Sequence, residues 1–481
     1  MDNLTLQKAT YQNIKDVLKF PNDEFKVVEI LRFLPNKRVV FKAIKNDKEV
    51  VIKLFFNKDR KKRNKEYQKE VGTIKILTNL KLATPELLDY KKLYYRDYDY
   101  VVTKYIGICN KKLDIQSYYK AIAALHNHGI YQEDIHIDNF ITNSDKFYYL
   151  DASGMDLKYY HQKILPKIAL DNLALFICQF NLNEQEKFIE NLEYYFQNIT
   201  YLSKSEIQKN SQKYKKYIIK KTKKTFAKRL KDYGQKIFRN CSDFVTCKLV
   251  DKNKNKISGV FERKTYYKYQ SFFEQFINNP NLFKGKIIKY FKKGNTAEVY
   301  LLDTGSTKFV IKYYKSKNKI HSFKNYFLKT RAKKSWFFSN ICNFLEIKTI
   351  KPVGYFELKK FGFFKGAYFI TKYDENLNDL NEILEKKSKL KINVIASNIV
   401  ENIKSLKQHK IYHGDFKILN ILANSSNDNN NFFIIDLEQM KQVSNKTYFN
   451  YLHNKDYNRL LKSLDKYKDI RNLVIEKMKV K

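Results

Sequence analysis

The sequence predicts an α+β protein made of two tandem copies of one domain, each a small β-rich N-lobe followed by a larger helical C-lobe. Three observations predict it. Short matched segments recur in the same order in the two halves, at a period far longer than any solenoid repeat. Within each half, a β-type pattern gives way to helical periodicity. The 481 residues are 43% apolar and 15% aromatic, enough to fill more than one core.

The matched segments, taken in chain order, justify each element. Val50-Val51-Ile52-Lys53-Leu54-Phe55 is a strand-like run with a lysine near its end, repeated as Phe309-Val310-Ile311-Lys312-Tyr313-Tyr314. Val102-Thr103-Lys104-Tyr105 recurs as Ile370-Thr371-Lys372-Tyr373. A helix is expected over Ile115 to His128, stopped by Gly129 as a left-handed cap. A loop follows, Gln132-Glu133-Asp134 with Asn139 in the first copy and His413-Gly414-Asp415 with Asn420 in the second. The step from Asp to Asn is five residues in both. A strand over Phe147 to Leu150 then delivers Asp151, as Ile434-Ile435 delivers Asp436, and a further aspartate, Asp171 or Asp456, lies 20 residues beyond each. Between the copies, Ile207 to Phe238 reads as a long helix with dense lysine and one apolar stripe (Tyr214, Tyr217, Ile218, Phe226, Leu230). The expected division is 1–205 for the first domain, 206–240 for a basic helical linker and 241–481 for the second.

Charge and cysteine usage narrow the class. Lys and Arg number 93 against 50 acids, a formal charge of +43. An A+T-rich coding bias does not explain that excess, because it raises glutamate codons too. Nucleic acid, an anionic membrane face or phosphorylated substrates would each suit it. The five cysteines (Cys109, Cys178, Cys241, Cys247, Cys342) form no C-x-x-C pair, which fits a reducing cytoplasm rather than a disulfide framework. No run reaches the ~20 apolar residues a membrane span needs, and the only obviously low-complexity stretch is the polar loop Asn424 to Asn431.

Phosphoryl transfer requires the residue types that recur. It needs a lysine on the nucleotide phosphates, a carboxylate and an amide on Mg²⁺, and a carboxylate facing the attacking hydroxyl. The sequence supplies the set twice, in the order used by protein-kinase-like folds. Lys53 and Lys312 are the phosphate lysines, and Asp134 and Asp415 the proton-accepting bases. Asn139 with Asp151, and Asn420 with Asp436, are the metal pairs. An isolated Asp-x-x-x-x-Asn carries no weight; the same lysine, loop and strand-end aspartate in register twice does. His413 is expected to brace the loop, and Asp171 and Asp456 to hold its backbone. His136 and Lys417, two residues after each base, either steady the transferring phosphate or lie exposed.

Other parts differ between the copies. Glu70, 17 residues after Lys53, is the expected acidic partner, with Glu66 as fallback. Lys312 is followed by no acid before Glu346, so no helix partner is expected for it. The phosphate-covering turn of the second copy is Lys293 to Tyr300, with Gly294 and Thr296 as contacts. The corresponding turn of the first copy, Leu34 to Arg38, has no glycine.

On these residues the chain resembles the bacterial lipopolysaccharide core kinases, the heptose and Kdo kinase group. The first copy carries the likeness in LPNKRVV (Leu34 to Val40), VIKLFF (Val51 to Phe56) and GIYQEDIHIDNF (Gly129 to Phe140). The second carries it in KTRAKKSW (Lys329 to Trp336), Lys351-Pro352-Val353, HGDFKILNIL (His413 to Leu422) and IDLE (Ile435 to Glu438). It spans most of residues 25–180 and 284–465. The resemblance implies ATP- and Mg²⁺-dependent phosphorylation of an inner-core sugar hydroxyl at the cytoplasmic face of the inner membrane. Its acceptor, rich in carboxylates and phosphates on an anionic leaflet, would account for the positive charge. Three other readings stand beside it: a kinase for a protein or small alcohol, one active copy with a pseudokinase partner, and a non-catalytic basic scaffold for RNA or membrane. The doubled metal-binding set disfavours the scaffold.

Overall fold

The computed structural model describes the chain outside residues 1–5, 7, 12, 19–24, 94–97, 108–113, 144–145, 252–253, 317–328, 386–391, 425–431 and 480–481. Cys109 and nearly all of the Asn424 to Asn431 polar loop lie outside the described residues. The fold is α+β and divides into two compact units, Met1–Arg229 and Leu230–Lys481.

The first unit opens with an antiparallel sheet of β1 (Lys26–Leu34), β2 (Arg38–Lys45), β3 (Lys48–Phe55), β4 (Leu87–Leu93) and β5 (Tyr98–Lys104), in the order β1-β2-β3-β5-β4. Lys53 lies on the central strand, level with Val40 of β2 and Val101 of β5. Inserted after β3 is α1 (Arg60–Asn79), capped by Asp59, whose side chain accepts from the Lys61 and Lys62 amides. Helix α1 docks through Tyr67, Val71 and Ile74, which join Phe55 and Val101 in a small core. Its fully buried Arg63 pairs with Asp99 of β5 at 3.1 Å. A buried charge needs such a partner, since breaking the pair leaves the other ion stranded at about 3–5 kcal/mol.

The second half of this unit is helical. In α2 (Ile115–Asn127), Tyr118, Tyr119, Ile122 and Leu125 recur at three- and four-residue steps and are buried in its main core. The helix ends at Gly129, φ +71°, where a Cβ would come within 1.8 Å of the Tyr159 carbonyl oxygen, so glycine is obligatory. Then come β6 (Tyr131–Gln132), a 3₁₀ turn (Ile137–Asn139), β7 (Phe140–Asn143), β8 (Lys146–Tyr149) and β9 (Met155–Asp156). After them runs α3 (Pro166–Ile177). The lysine-rich segment is one continuous helix, α4 (Lys204–Lys236). It is more than a connector: Ile218 is buried in the first unit's main core, and the Tyr217 hydroxyl donates to Asp171 at 2.6 Å.

The second unit carries a seven-stranded sheet. Its strands are β10 (Phe244–Val250), β11 (Lys256–Glu262), β12 (Ile287–Lys293), β13 (Ala297–Asp303), β14 (Lys308–Lys315), β15 (Pro352–Lys360) and β16 (Phe363–Lys372). The order is β10-β11-β15-β16-β14-β13-β12, so the hairpin β10–β11 extends the five remaining strands at one edge. Lys312 is level with Val299 of β13 and Phe369 of β16. Helix α5 (Arg331–Phe344) follows β14 and buries Trp336, whose indole N–H donates to the Ile237 carbonyl at 3.0 Å. Helix α6 (Ile392–Gln408) precedes β18 (Ile411–Tyr412), reached after the short β17 (Leu377–Asp379). A 3₁₀ turn (Ile418–Asn420), β19 (Ile421–Asn424), β20 (Phe432–Ile434), β21 (Lys441–Gln442) and α7 (Lys446–Ser463) complete the elements that frame the site.

Candidate active site

In the first unit, β3 presents Lys53 to two carboxylates. Its ammonium lies 2.7 Å from Glu70 on α1 and 3.0 Å from Asp151, which follows β8 by two residues. Glu70 therefore takes the expected place. Glu66 lies instead 4.0 Å from Arg38. Ser153 closes the cluster, its amide donating to Glu70 at 2.9 Å and its hydroxyl standing 3.0 Å from Asp151. Asp151 has left-handed backbone angles, φ +53°, a conformation that costs a non-glycine residue about 1 kcal/mol or more. Burial, the largest single influence, opposes its charge, but Lys53, Arg38 and the Ser153 hydroxyl together outweigh it and hold the carboxyl down at about 2.

The loop beneath is tied to the same aspartate strand. The Leu150 amide donates to the Asn139 carbonyl at 2.8 Å, which brings Asn139 beside Asp151. Asn139 Nδ2 donates to the Asp134 carbonyl at 3.0 Å. Gln132 donates to the Leu150 carbonyl at 3.0 Å. Asp134 itself is exposed. His136 Nδ1 accepts from the Asp138 amide at 3.3 Å. Asp171, expected to hold this loop, turns away to Tyr217 and to Lys221 at 2.8 Å. Its neighbour Asn172 holds the loop instead, donating to the Gln132 carbonyl at 2.6 Å.

The second unit builds the same arrangement with other side chains. Lys312 lies 2.5 Å from Asp436 and 2.9 Å from Glu438. Asp436 is again left-handed, φ +64°. Burial is again the largest single influence and opposes the Asp436 charge, but Lys312, with Arg331 and His413 adding to it, keeps the carboxyl below the ordinary range. Lys312 thus has no acidic partner on the following helix, as expected, and takes one instead from the segment after Asp436. The Ile435 amide donates to the Asn420 carbonyl at 3.0 Å, matching the Leu150–Asn139 bond. Asn420 Nδ2 donates to the Asp415 carbonyl at 2.7 Å. Asp415 is gripped by Lys417 at 2.9 Å and Arg459 at 3.3 Å, so Lys417 faces the loop aspartate. Asp456 Oδ2 accepts from the His413 and Gly414 amides at 2.8 and 3.1 Å, and so holds the loop backbone.

The turn between β12 and β13 is closed by its own backbone. The Gly294 amide donates to the Ala297 carbonyl at 3.0 Å, and the Thr296 carbonyl accepts from Lys315 at 3.1 Å. In the first unit, the Lys37 carbonyl accepts from Phe56 at 2.9 Å. Phe56 and Lys315 each lie three residues after the strand lysine, so a glycine-free turn reaches the same place.

The donors in each cleft fit Mg²⁺. Each asparagine spends its Nδ2 on the loop, which leaves its hard oxygen Oδ1 to ligate, and each strand-end aspartate is ionised. Among the described residues no group of three His, Cys, Asp or Glu side chains would hold an ion unaided.

Sequence reading missed Ser153, Gln132, Asn172, Arg459, Arg331 and Glu438. One of these had a signal: the acid absent between Lys312 and Glu346 reappears two residues after Asp436.

A lysine fixed against a strand-end carboxylate, over a loop that carries an aspartate and an amide, is the arrangement that phosphoryl transfer requires. The chain is a phosphotransferase, a kinase with an alcohol group as acceptor. Residues 292–476 match the family described as the lipopolysaccharide kinase (Kdo/WaaP) family. No curated protein matches the chain. A solved structure, WaaP in complex with acyl carrier protein, is similar at 12% identity and a TM-score of 0.33, covering 45% of this chain and 88% of that one.

Proposed function

We propose that the chain is an ATP- and Mg²⁺-dependent kinase that phosphorylates a sugar hydroxyl of the lipopolysaccharide inner core, on a heptose or a Kdo. It works as two tandem kinase-like domains at the cytoplasmic face of the inner membrane. The observation that carries the reading is the Lys312–Asp436 pair at 2.5 Å above the Asp415–Asn420 loop, inside the region that matches the family. Lys312 would bind nucleotide phosphates, and Asp415 would accept the proton of the sugar hydroxyl as it attacks. Mg²⁺, held by Asn420 and Asp436, would neutralise charge on the phosphates.

The second domain is the catalytic one on this reading. Its base is fixed by Asn420, Lys417 and Arg459. Among the described residues no side chain bonds the Asp134 carboxylate, which favours a nucleotide-binding partner role for the first domain.

An anionic leaflet supplies the partner for the surplus charge. Lys209, Lys213, Lys216, Lys220 and Lys223 are exposed and spaced to share one face of α4, a row about 21 Å long. No helix among the described residues is long and apolar enough to cross a membrane. The deciding experiment is transfer of labelled phosphate from ATP to purified core acceptor. Asp415→Ala abolishes it, and the pair Asp134→Ala plus Asp415→Ala adds nothing further. Full transfer by the double variant would end the proposal.

A further inference from the structure

Glu70 and Ser335 hold the same place in their helices. Each lies eleven residues before the left-handed residue that terminates the helix, Lys81 and Glu346, both at φ +57°. The closing bonds also repeat, Leu82 amide to Leu77 carbonyl and Ile347 amide to Cys342 carbonyl. Ser153 and Glu438 hold a second shared place, two residues after the left-handed aspartate. Glutamate and serine have therefore exchanged positions. In the first unit the helix supplies the glutamate and the segment after the aspartate supplies the serine. In the second unit the helix carries the serine and the segment carries the glutamate.

The exchange is compensated locally. Glu438 is 5% exposed, and its carboxylate takes Lys312 on one side and the Arg331 guanidinium on the other. Two cations face one buried carboxylate, so its charge is matched. The Ser335 hydroxyl lies 3.1 Å from that of Tyr314, and the Glu438 charge acts on the same phenol. Residues 335 and 438 thus flank one hydroxyl, and a carboxylate extended from either would meet the same space.

We infer that Glu438 is the positioning residue for Lys312, doing from the segment after Asp436 what Glu70 does for Lys53 from α1. The inference rests on the proposed reading of the cleft as a nucleotide site. It has a mechanical consequence. Lys53 is set by two elements, α1 and the Asp151 segment, and is fully held only while α1 stays docked. Lys312 is set by Asp436 and Glu438 on one short segment, and α5 contributes only Arg331, its first residue. The second cleft holds its lysine without relying on a helix-borne acid.

The test uses the full chain in a Lys53→Met background, so that MgATP binding reports the second cleft. Glu438→Gln is expected to weaken binding at least tenfold, as is Glu438→Ser. The double variant Ser335→Glu plus Glu438→Ser, which restores the first unit's arrangement, should recover affinity to within about threefold. Loss of binding with Lys312→Met but none with Glu438→Gln overturns the role of Glu438 alone, as does a double variant no better than Glu438→Ser. Unchanged binding with Lys312→Met overturns the nucleotide-site reading itself. The pairing is also read without nucleotide: melting-temperature losses of Lys312→Met and Glu438→Gln should be non-additive, and additive losses overturn it.

Discussion

Gln132 and His413 donate the same hydrogen bond with different chemistry. Each reaches the carbonyl of the residue immediately before the left-handed aspartate, Gln132 to Leu150 and His413 to Ile435, both at 3.0 Å. His413 Nδ1 accepts from the Asp415 amide at 3.2 Å, so the ring proton belongs on Nε2, which faces Ile435. Burial pushes the His413 pKa below its ordinary 6.5, and the ring is neutral at pH 7.

A glutamine at 413 should therefore work. His413→Ala leaves the Ile435 carbonyl unsatisfied and is expected to cost about 1–3 kcal/mol, whereas His413→Gln should recover most of it. The imidazole also imposes a pH dependence. Below about 6.5 the unfolded chain binds a proton that the native ring resists, so stability falls on acidification. Thermal unfolding between pH 7 and 5 checks both points: His413→Gln should lose less stability on acidification than the native protein. Equal slopes would mean that His413 does not titrate as described.

Asp456 sets the path of the Asp415 loop through two backbone amides. Gly414, which carries the second of them, has φ +91°, and a Cβ there would meet the Gln439 Cβ at 2.8 Å. Asp456→Asn keeps an accepting oxygen and should be tolerated within about 1 kcal/mol. Asp456→Ala strands two buried N–H groups and should cost about 2–4 kcal/mol, with a fall in phosphate transfer larger than any change in apparent ATP affinity. An Asp456→Ala protein as active as the native one would remove Asp456 from the loop's support.

Legibility in the sequence follows the range of the interaction. The lysine strand, the five-residue Asp-to-Asn step and the strand-end aspartates are local patterns, and the chain carries each twice. Glu70 was legible because one helix links it to Lys53. Glu438 was not, because its partner lies 126 residues away in sequence and only folding shows that Ser335 has vacated the helix position. Asp171 misled for a geometric reason. Neighbours on a helix point about 100° apart, so Asn172 faces the loop and Asp171 faces α4. Where the first unit ends was equally hidden, since α4 is one uninterrupted helix whose buried Ile218 joins the first core.

The Lys53–Asp151 pair predicts an acid limit. The folded carboxyl titrates near 2 against an ordinary value near 3.8. A depressed carboxyl contributes stability that is present above pH ~4 and lost as pH falls from about 4 towards 2. The shift corresponds to about 2 kcal/mol. Melting temperatures of the native chain and of Asp151→Asn should differ by a constant amount above pH 5 and converge towards pH 2. A difference that persists at pH 2 would assign the effect to packing rather than charge.

Membrane attraction through α4 predicts a steep salt dependence. Each lysine near an anionic surface is worth about 1 kcal/mol, and the field decays over about 10 Å at 0.1 M salt but about 3 Å at 1 M. Replacing Lys213, Lys216 and Lys220 by glutamine removes three charges from one exposed face, or about 3 kcal/mol. Partitioning onto phosphatidylglycerol-containing vesicles at 0.1 M salt should then fall about a hundredfold, while phosphatidylcholine vesicles bind neither protein. At 1 M salt the two proteins should become indistinguishable, because the interaction that separates them is screened. None of these lysines contacts the Lys53 or Lys312 clusters, so transfer to a water-soluble core fragment should be unaffected. Vesicle binding that survives the triple replacement would place the contact on another face, and binding that survives 1 M salt would show that charge does not drive it.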